Sequence, residues 1–271
     1  MSTSTADPGT VDRDYLTRLR PPWWTSGGPA PARIDLAAWM PPVVNQGPVA
    51  LCTAAVTTAI AGYYVRRTSR EEFTPSVLFN YRASRALRGN PDSNGSRLEH
   101  SFRAWAESGL CAEELWPFDP AQPDRVNRNP PQRCHDAARH SSPVGRRVAA
   151  SDGAELHRTV RRALALGIPV GVEIRLCPSL SMSLINGGIM PVQTEGEASV
   201  GPHVILLTGY DDDVDTEPWG RGSGPGAFRV RNSWGADWGQ EGYGLLPYAF
   251  LTRRLVGETW IVIEEDWEQT A

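Results

Sequence analysis

Asn232-Ser233-Trp234-Gly235-Ala236-Asp237-Trp238-Gly239-Gln240-Glu241-Gly242-Tyr243 is the stretch of this 271-residue chain that weighs most in reading its fold. It joins two strand-like runs, Phe228–Asn232 and Tyr243–Leu246. Alone, an asparagine before Ser-Trp-Gly is a strand-ending turn. Two earlier segments change its weight: Asn45-Gln46-Gly47 running to Cys52, and Gly201-Pro202-His203 running to Gly209-Tyr210. A cysteine, a histidine and an asparagine in that order, with a glutamine six residues before the cysteine, form the inventory of acyl transfer through a thioester.

Each residue type has a chemical task. Cys52 opens a run of small apolar residues to about Arg66, which reads as a helix buried all round. A sulfur at its first turn feels the positive end of the helix dipole, which favours thiolate. His203 is expected to hold that thiolate as an ion pair and then to protonate the departing amine. Asn232 would accept from the second ring nitrogen and fix the tautomer. Trp234 is suited to cover that contact. The Gln46 amide and the Cys52 backbone N–H are the natural donors to a tetrahedral oxyanion. Singly, a buried cysteine or a strand histidine is more often structural; their joint occurrence in local patterns favours the chemical reading.

These residues resemble a papain-like cysteine peptidase. Asn-Gln-Gly before a cysteine that opens a small-residue helix, Gly-Pro-His203 before Gly209-Tyr210, and the Asn232–Tyr243 block each resemble a family segment, the last almost residue for residue. His203 lies 151 positions beyond Cys52 and Asn232 lies 180 beyond, so modest insertions are needed relative to the roughly 130–150 of papain-like chains. The resemblance spans about Ile34 to Ile263. It implies an α+β fold, with a helical lobe, an antiparallel β-barrel-like lobe and the active site in the cleft between them. It also places Asn94-Gly95 where the substrate backbone pairs.

The chain departs from the family pattern in several places. The signature around the nucleophile reads Val49-Ala50-Leu51-Cys52-Thr53, so Ala50 and Leu51 are expected to crowd the groove. Val204, where alanine is common, is expected to narrow a substrate pocket. Val49 stands where the family has a disulfide partner. The 45 residues before Gln46 are fewer than the usual inhibitory prosegment, which suggests narrow specificity or a different acyl acceptor. Substrate-binding candidates are therefore Gly95, Asn94, Leu51, Val204 and Trp234.

Composition bounds the rest. Hydrophobic residues at 40% and charged residues at 21% fit a globular protein. A net charge of −4 gives no nucleic-acid footprint and no pull toward anionic membranes. All 27 basic residues are arginine, as in a GC-rich bacterial genome. No signal peptide or apolar span is visible, so cytoplasm is the expected compartment. The other cysteines, Cys111, Cys134 and Cys177, are expected as buried free thiols. No metal or cofactor is implied, and a monomer is the default. Asp211-Asp212-Asp213-Val214-Asp215 reads as a solvated hairpin tip rather than a calcium loop.

Along the chain, residues 1–32 read as a disordered or irregular arm whose Trp23 and Trp24 pack on the body. A catalytic domain covers 33–263, its helical lobe about 45–150 and its β lobe about 151–263, with a tail at 264–271. Helices are expected at Thr74–Leu87, with Thr74 as cap, at Ser96–Glu107 and at Ala154–Ala165. Prolines exclude long elements between 117 and 148. Strands are expected at Val170–Leu176, His203–Tyr210, Phe228–Asn232, Tyr243–Leu246 and Thr259–Ile263.

The leading function is a cysteine peptidase of restricted specificity, cleaving a peptide or amide through an acyl-enzyme. One alternative delivers the acyl group to an amine, as an amide-forming acyltransferase or transpeptidase. Another is a peptide-binding module without catalysis, disfavoured because Gln46, Cys52, His203 and Asn232 are all present.

Overall fold

Small side chains along Cys52–Ser69 let one helix sit at the centre of the molecule, and the rest of the chain is arranged about it. The computed structural model describes residues 10–19, 30–90, 92, 94–193, 196–219 and 224–264. In chain order the elements are β1 (Thr10–Val11), α1 (Arg13–Arg18), β2 (Arg33–Asp35), α2 (Cys52–Ser69), α3 (Val77–Leu87) and α4 (Leu98–Ser108). They continue with α5 (Gln132–Asp136), β3 (Pro143–Val148), α6 (Gly153–Ala165), β4 (Val170–Leu176) and β5 (Gly201–Asp215). Last come β6 (Pro225–Arg231), β7 (Tyr243–Pro247), α7 (Ala249–Thr252) and β8 (Val256–Glu264). The class is α+β, as expected.

The strands form one sheet in the order β1-β3-β8-β4-β5-β6-β7, with β2 added to β5. All pairings are antiparallel except β1 with β3. Two apolar cores result. One packs the sheet against α6 and against Val56, Ala59, Ile60 and Tyr63 of α2. The other gathers Leu51, Ala54 and Ala55 with Val77, Leu78, Phe79, Tyr81, Cys111, Trp116 and Cys134. Because α2 serves both, its residues from Thr53 to Tyr64 are buried on every side. Two hydroxyls tie it to the sheet side: Tyr63 donates to the Gly167 carbonyl at 2.6 Å and Tyr64 to that of Val262 at 2.6 Å.

Element ends follow local chemistry. Helix α3 is capped by Ser76, whose Oγ accepts from Phe79 N–H at 3.3 Å, two residues later than the expected Thr74. Pro75 instead bridges Ala112 in a short antiparallel contact. Gly109, at φ 69°, ends α4.

Three regions differ from the sequence-based expectation. Residues 10–19 of the arm are ordered: β1 joins the sheet and Leu16 and Leu19 are buried. Trp23 and Trp24 lie outside the described residues. The proline-rich span still holds β3, because Pro143 sits at the strand's first position, where a missing N–H is tolerated. The aspartate run is not a hairpin tip but part of β5. Arginine neighbours explain this: Arg33 donates to Asp211 at 2.8 Å and Arg161 to Asp212 at 3.0 Å. No group of potential metal ligands occurs among the described residues.

Candidate active site

Residues 44–46 run antiparallel to residues 233–235, and this seam sets the site. Gly235 N–H donates to the Val44 carbonyl at 3.1 Å and Gln46 N–H to that of Ser233 at 2.8 Å, with Asn45 bridging Trp234. Arg231, one residue before Asn232, reinforces it from beneath. It is buried, donating to Tyr243 Oη at 2.9 Å and to the Pro42 carbonyl at 2.6 Å. The Asn232 block is thereby fastened to the lead-in of Cys52.

His203 stands on β5 and Asn232 just beyond the end of the adjacent β6. His203 Nε2 lies 2.8 Å from Asn232 Oδ1. An amide oxygen only accepts, so Nε2 carries the proton and Nδ1 is the nitrogen left to exchange one. Ser233 N–H also donates to Asn232 Oδ1, at 2.9 Å. Trp234 stacks on the imidazole with centroids 5.1 Å apart and planes 27° apart, and Trp238 meets Trp234 edge-on at 5.8 Å. The indole pair keeps water from the His203–Asn232 contact.

Cys52 is the first residue of α2, and its sulfur has three backbone N–H groups about it, those of Val204, Thr53 and Cys52 itself. Val204 follows His203 in the chain, so cysteine and histidine segments meet. Burial pushes the Cys52 thiol up, outweighing those amides. Burial likewise pushes His203 down, against the opposing hydrogen bond to Asn232. Burial thus works against the charged form of each group taken by itself, and the helix dipole and a thiolate–imidazolium pairing work in the opposite direction.

Gln46 is immobilised. Its Nε2 donates to the Val49 carbonyl at 2.9 Å, and its Oε1 accepts from Ser233 Oγ at 2.5 Å. One amide hydrogen remains for an oxyanion. Ser233 was not singled out from sequence, although it adjoins Asn232 in the quoted block.

A cavity of about 610 Å³ opens beside Cys52, lined among others by Ala50, Asn94, Gly95, Leu98, Glu173, Val204 and Glu258. Three of the expected substrate contacts, Asn94, Gly95 and Val204, therefore face it. Leu51 does not. It is fully buried in the smaller core, because Leu51 N–H turns back to the Val49 carbonyl at 2.9 Å, and only Ala50 borders the cavity. Gly95 takes φ 81°, and both its backbone groups are engaged: its N–H donates to Tyr81 Oη at 2.8 Å and its carbonyl accepts from Arg88 at 3.0 Å. A strand accepting from the Gly95 N–H must displace the Tyr81 hydroxyl, whereas the carbonyl keeps a second lone pair for a further donor. Glu173 and Glu258 were missed, though Glu173 is the one charge within the apolar run Val170–Ile174.

The family model described as "Papain family cysteine protease" matches residues 30–249. The chain belongs to the papain family of cysteine proteases. Among solved structures it resembles xylellain, a cysteine protease from Xylella fastidiosa, with TM-score 0.69, 26% identity and 87% of each chain covered. The digestive procathepsin L 3 of Tenebrio molitor shares the fold, with TM-score 0.64 and 20% identity over 90% of this chain and 74% of that one. An uncharacterized peptidase C1-like protein of Acanthamoeba polyphaga mimivirus is 26% identical over 82% of this chain and 69% of its own length. Falcipain-3 of Plasmodium falciparum is 25% identical over 79% of this chain, which spans only 42% of that relative. Family membership makes thiol-dependent peptide hydrolysis the general chemistry. No helix among the described residues is long and apolar enough to cross a membrane.

Proposed function

We propose that this member of the family is a peptidase of restricted specificity that works through a thioester on Cys52, with His203, Asn232 and Gln46 as its partners. The single observation that carries the reading is the 2.8 Å contact from His203 Nε2 to Asn232 Oδ1 beneath the Trp234 ring, beside a helix that begins at Cys52. As Sγ attacks the substrate carbonyl carbon, its proton passes to His203 Nδ1. The oxyanion forms toward the free Gln46 amide hydrogen and the Cys52 N–H. His203 then returns the proton to the leaving amine, and the C–N bond breaks to give the acyl-enzyme. Water, deprotonated by the same nitrogen, cleaves the thioester and regenerates the thiol.

Hydrolysis is preferred over transfer to an amine because, of Ala50 and Leu51, expected to crowd the groove, only the small Ala50 borders the cavity and Leu51 is in the core. Restricted specificity is supported by the charged lining of the cavity. Mass spectrometry of a peptide mixture incubated with the protein tests both points. Cleavage products and a transient acyl adduct on Cys52 are expected, absent in Cys52→Ser. Exclusive formation of amide-exchange products in the presence of added amines would replace hydrolysis with transfer.

A further inference from the structure

We infer that the cavity beside Cys52 recognises a long cationic side chain, lysine or arginine, of the peptide substrate. This deepens the peptidase reading and rests on it. Two carboxylates carry the argument. Glu173 lies on β4 between Val172 and Ile174, both fully buried, and β4 pairs with β8 through Val172↔Thr259 and Ile174↔Val256. The register shift between those pairs sets Gly257 and Glu258 against Glu173. A Cβ at Gly257 would come within 2.6 Å of Glu173 Oε1, so glycine is what allows the carboxylate to lie there. Both glutamates are half-buried and both line the cavity.

Neither charge is well neutralised by the protein. Among the described residues Glu173 has no hydrogen-bond or salt-bridge partner. Glu258 accepts from Trp260 Nε1 at 3.2 Å and meets Arg147 only at 3.9 Å. Burial and then the neighbouring Glu258 push Glu173 above its ordinary range, and the weaker opposing pull of Arg97 and Arg175 does not cancel them. The arginines of the same cavity, Arg88 and Arg97, are exposed, and Arg88 is committed to the Gly95 carbonyl. Leu98 and Val204, both buried, supply apolar wall. An apolar stem against Leu98 and Val204 with a cation at its end beside the two carboxylates matches this mixed lining.

The test scans fluorogenic peptides with arginine, lysine, norleucine or glutamate at each position on the acyl side of the scissile bond. At one position a cationic residue is expected to exceed norleucine in kcat/KM by roughly tenfold or more. That ratio should fall to within about twofold in Glu173→Gln/Glu258→Gln and partway in Glu258→Gln alone. Calorimetry of the same peptides on Cys52→Ala protein reads the cavity without chemistry, and the cationic peptide should bind tighter. Iodoacetamide labelling of Cys52 runs alongside. Failure of selective labelling would remove the nucleophile, whereas binding to the alanine variant would still decide the cavity. Normal labelling with equal use of arginine and norleucine, or a preference for glutamate through Arg97, would overturn the cationic assignment.

Discussion

At the scale of single residues, the protonation of His203 is set by two opposed influences, burial that lowers its pKa and the Asn232 hydrogen bond that raises it. Removing Asn232 leaves burial unopposed. In Asn232→Ala the His203 limb of the pH–kcat/KM profile is therefore expected to move to lower pH, together with a fall in kcat. Both limbs staying in place would contradict the role given to Asn232. For Gln46→Ala, loss of one oxyanion donor should lower kcat by about 10²–10³, while iodoacetamide still modifies Cys52. Cys52, His203, Asn232 and Gln46, the residues proposed to act, could be singled out in the chain because each stands inside a local sequence pattern. Glu173 was overlooked for a physical reason: its importance depends on Glu258, 85 positions later, and only the β4–β8 register brings them together.

At the scale of elements, the start of α2 separates two jobs that adjacent residues perform. Cys52 borders the cavity, whereas Leu51 fills the smaller core. Leu51→Ala is expected to cost about 2–5 kcal/mol of stability in denaturant melts and to leave the ranking of peptide substrates unaltered. A changed ranking would return Leu51 to the groove. Glu113 anchors the next helix, accepting from Val77 N–H at 3.1 Å and from Phe118 N–H at 2.7 Å. Burial outweighs these donors and pushes its carboxyl from 4.5 up to about 7. A raised acid binds its proton more tightly in the folded state, so its stabilisation is present below pH 4.5 and is lost as pH rises toward 7. Thermal melts should show this decline in the full chain and a flatter profile in Glu113→Gln; identical slopes would contradict it. Helices with strong periodic or small-residue patterns were legible within a few residues. The strand β3 was not, since its proline is tolerated only because of where it sits in the sheet.

Across the whole molecule, α2 and the 44–46/233–235 seam hold the histidine-bearing sheet against the cysteine-bearing helix. Tyr64→Phe removes the bond to Val262 and is expected to cost about 1–2 kcal/mol. An unchanged denaturation midpoint would show that the hydroxyl is replaceable by water. The α+β class was apparent from helices preceding strands, but the share of the N-terminal arm in the sheet was not, because two-residue β1 has no periodicity to read. The most direct measurement of the central claim is the alkylation rate of each cysteine by iodoacetamide at neutral pH, in the native protein and in His203→Ala. Cys52 is expected to react far faster than Cys111, Cys134 and Cys177, and that advantage should vanish without the imidazole. Comparable rates at all four sulfurs in the native protein, or a Cys52 rate indifferent to His203, would contradict the account.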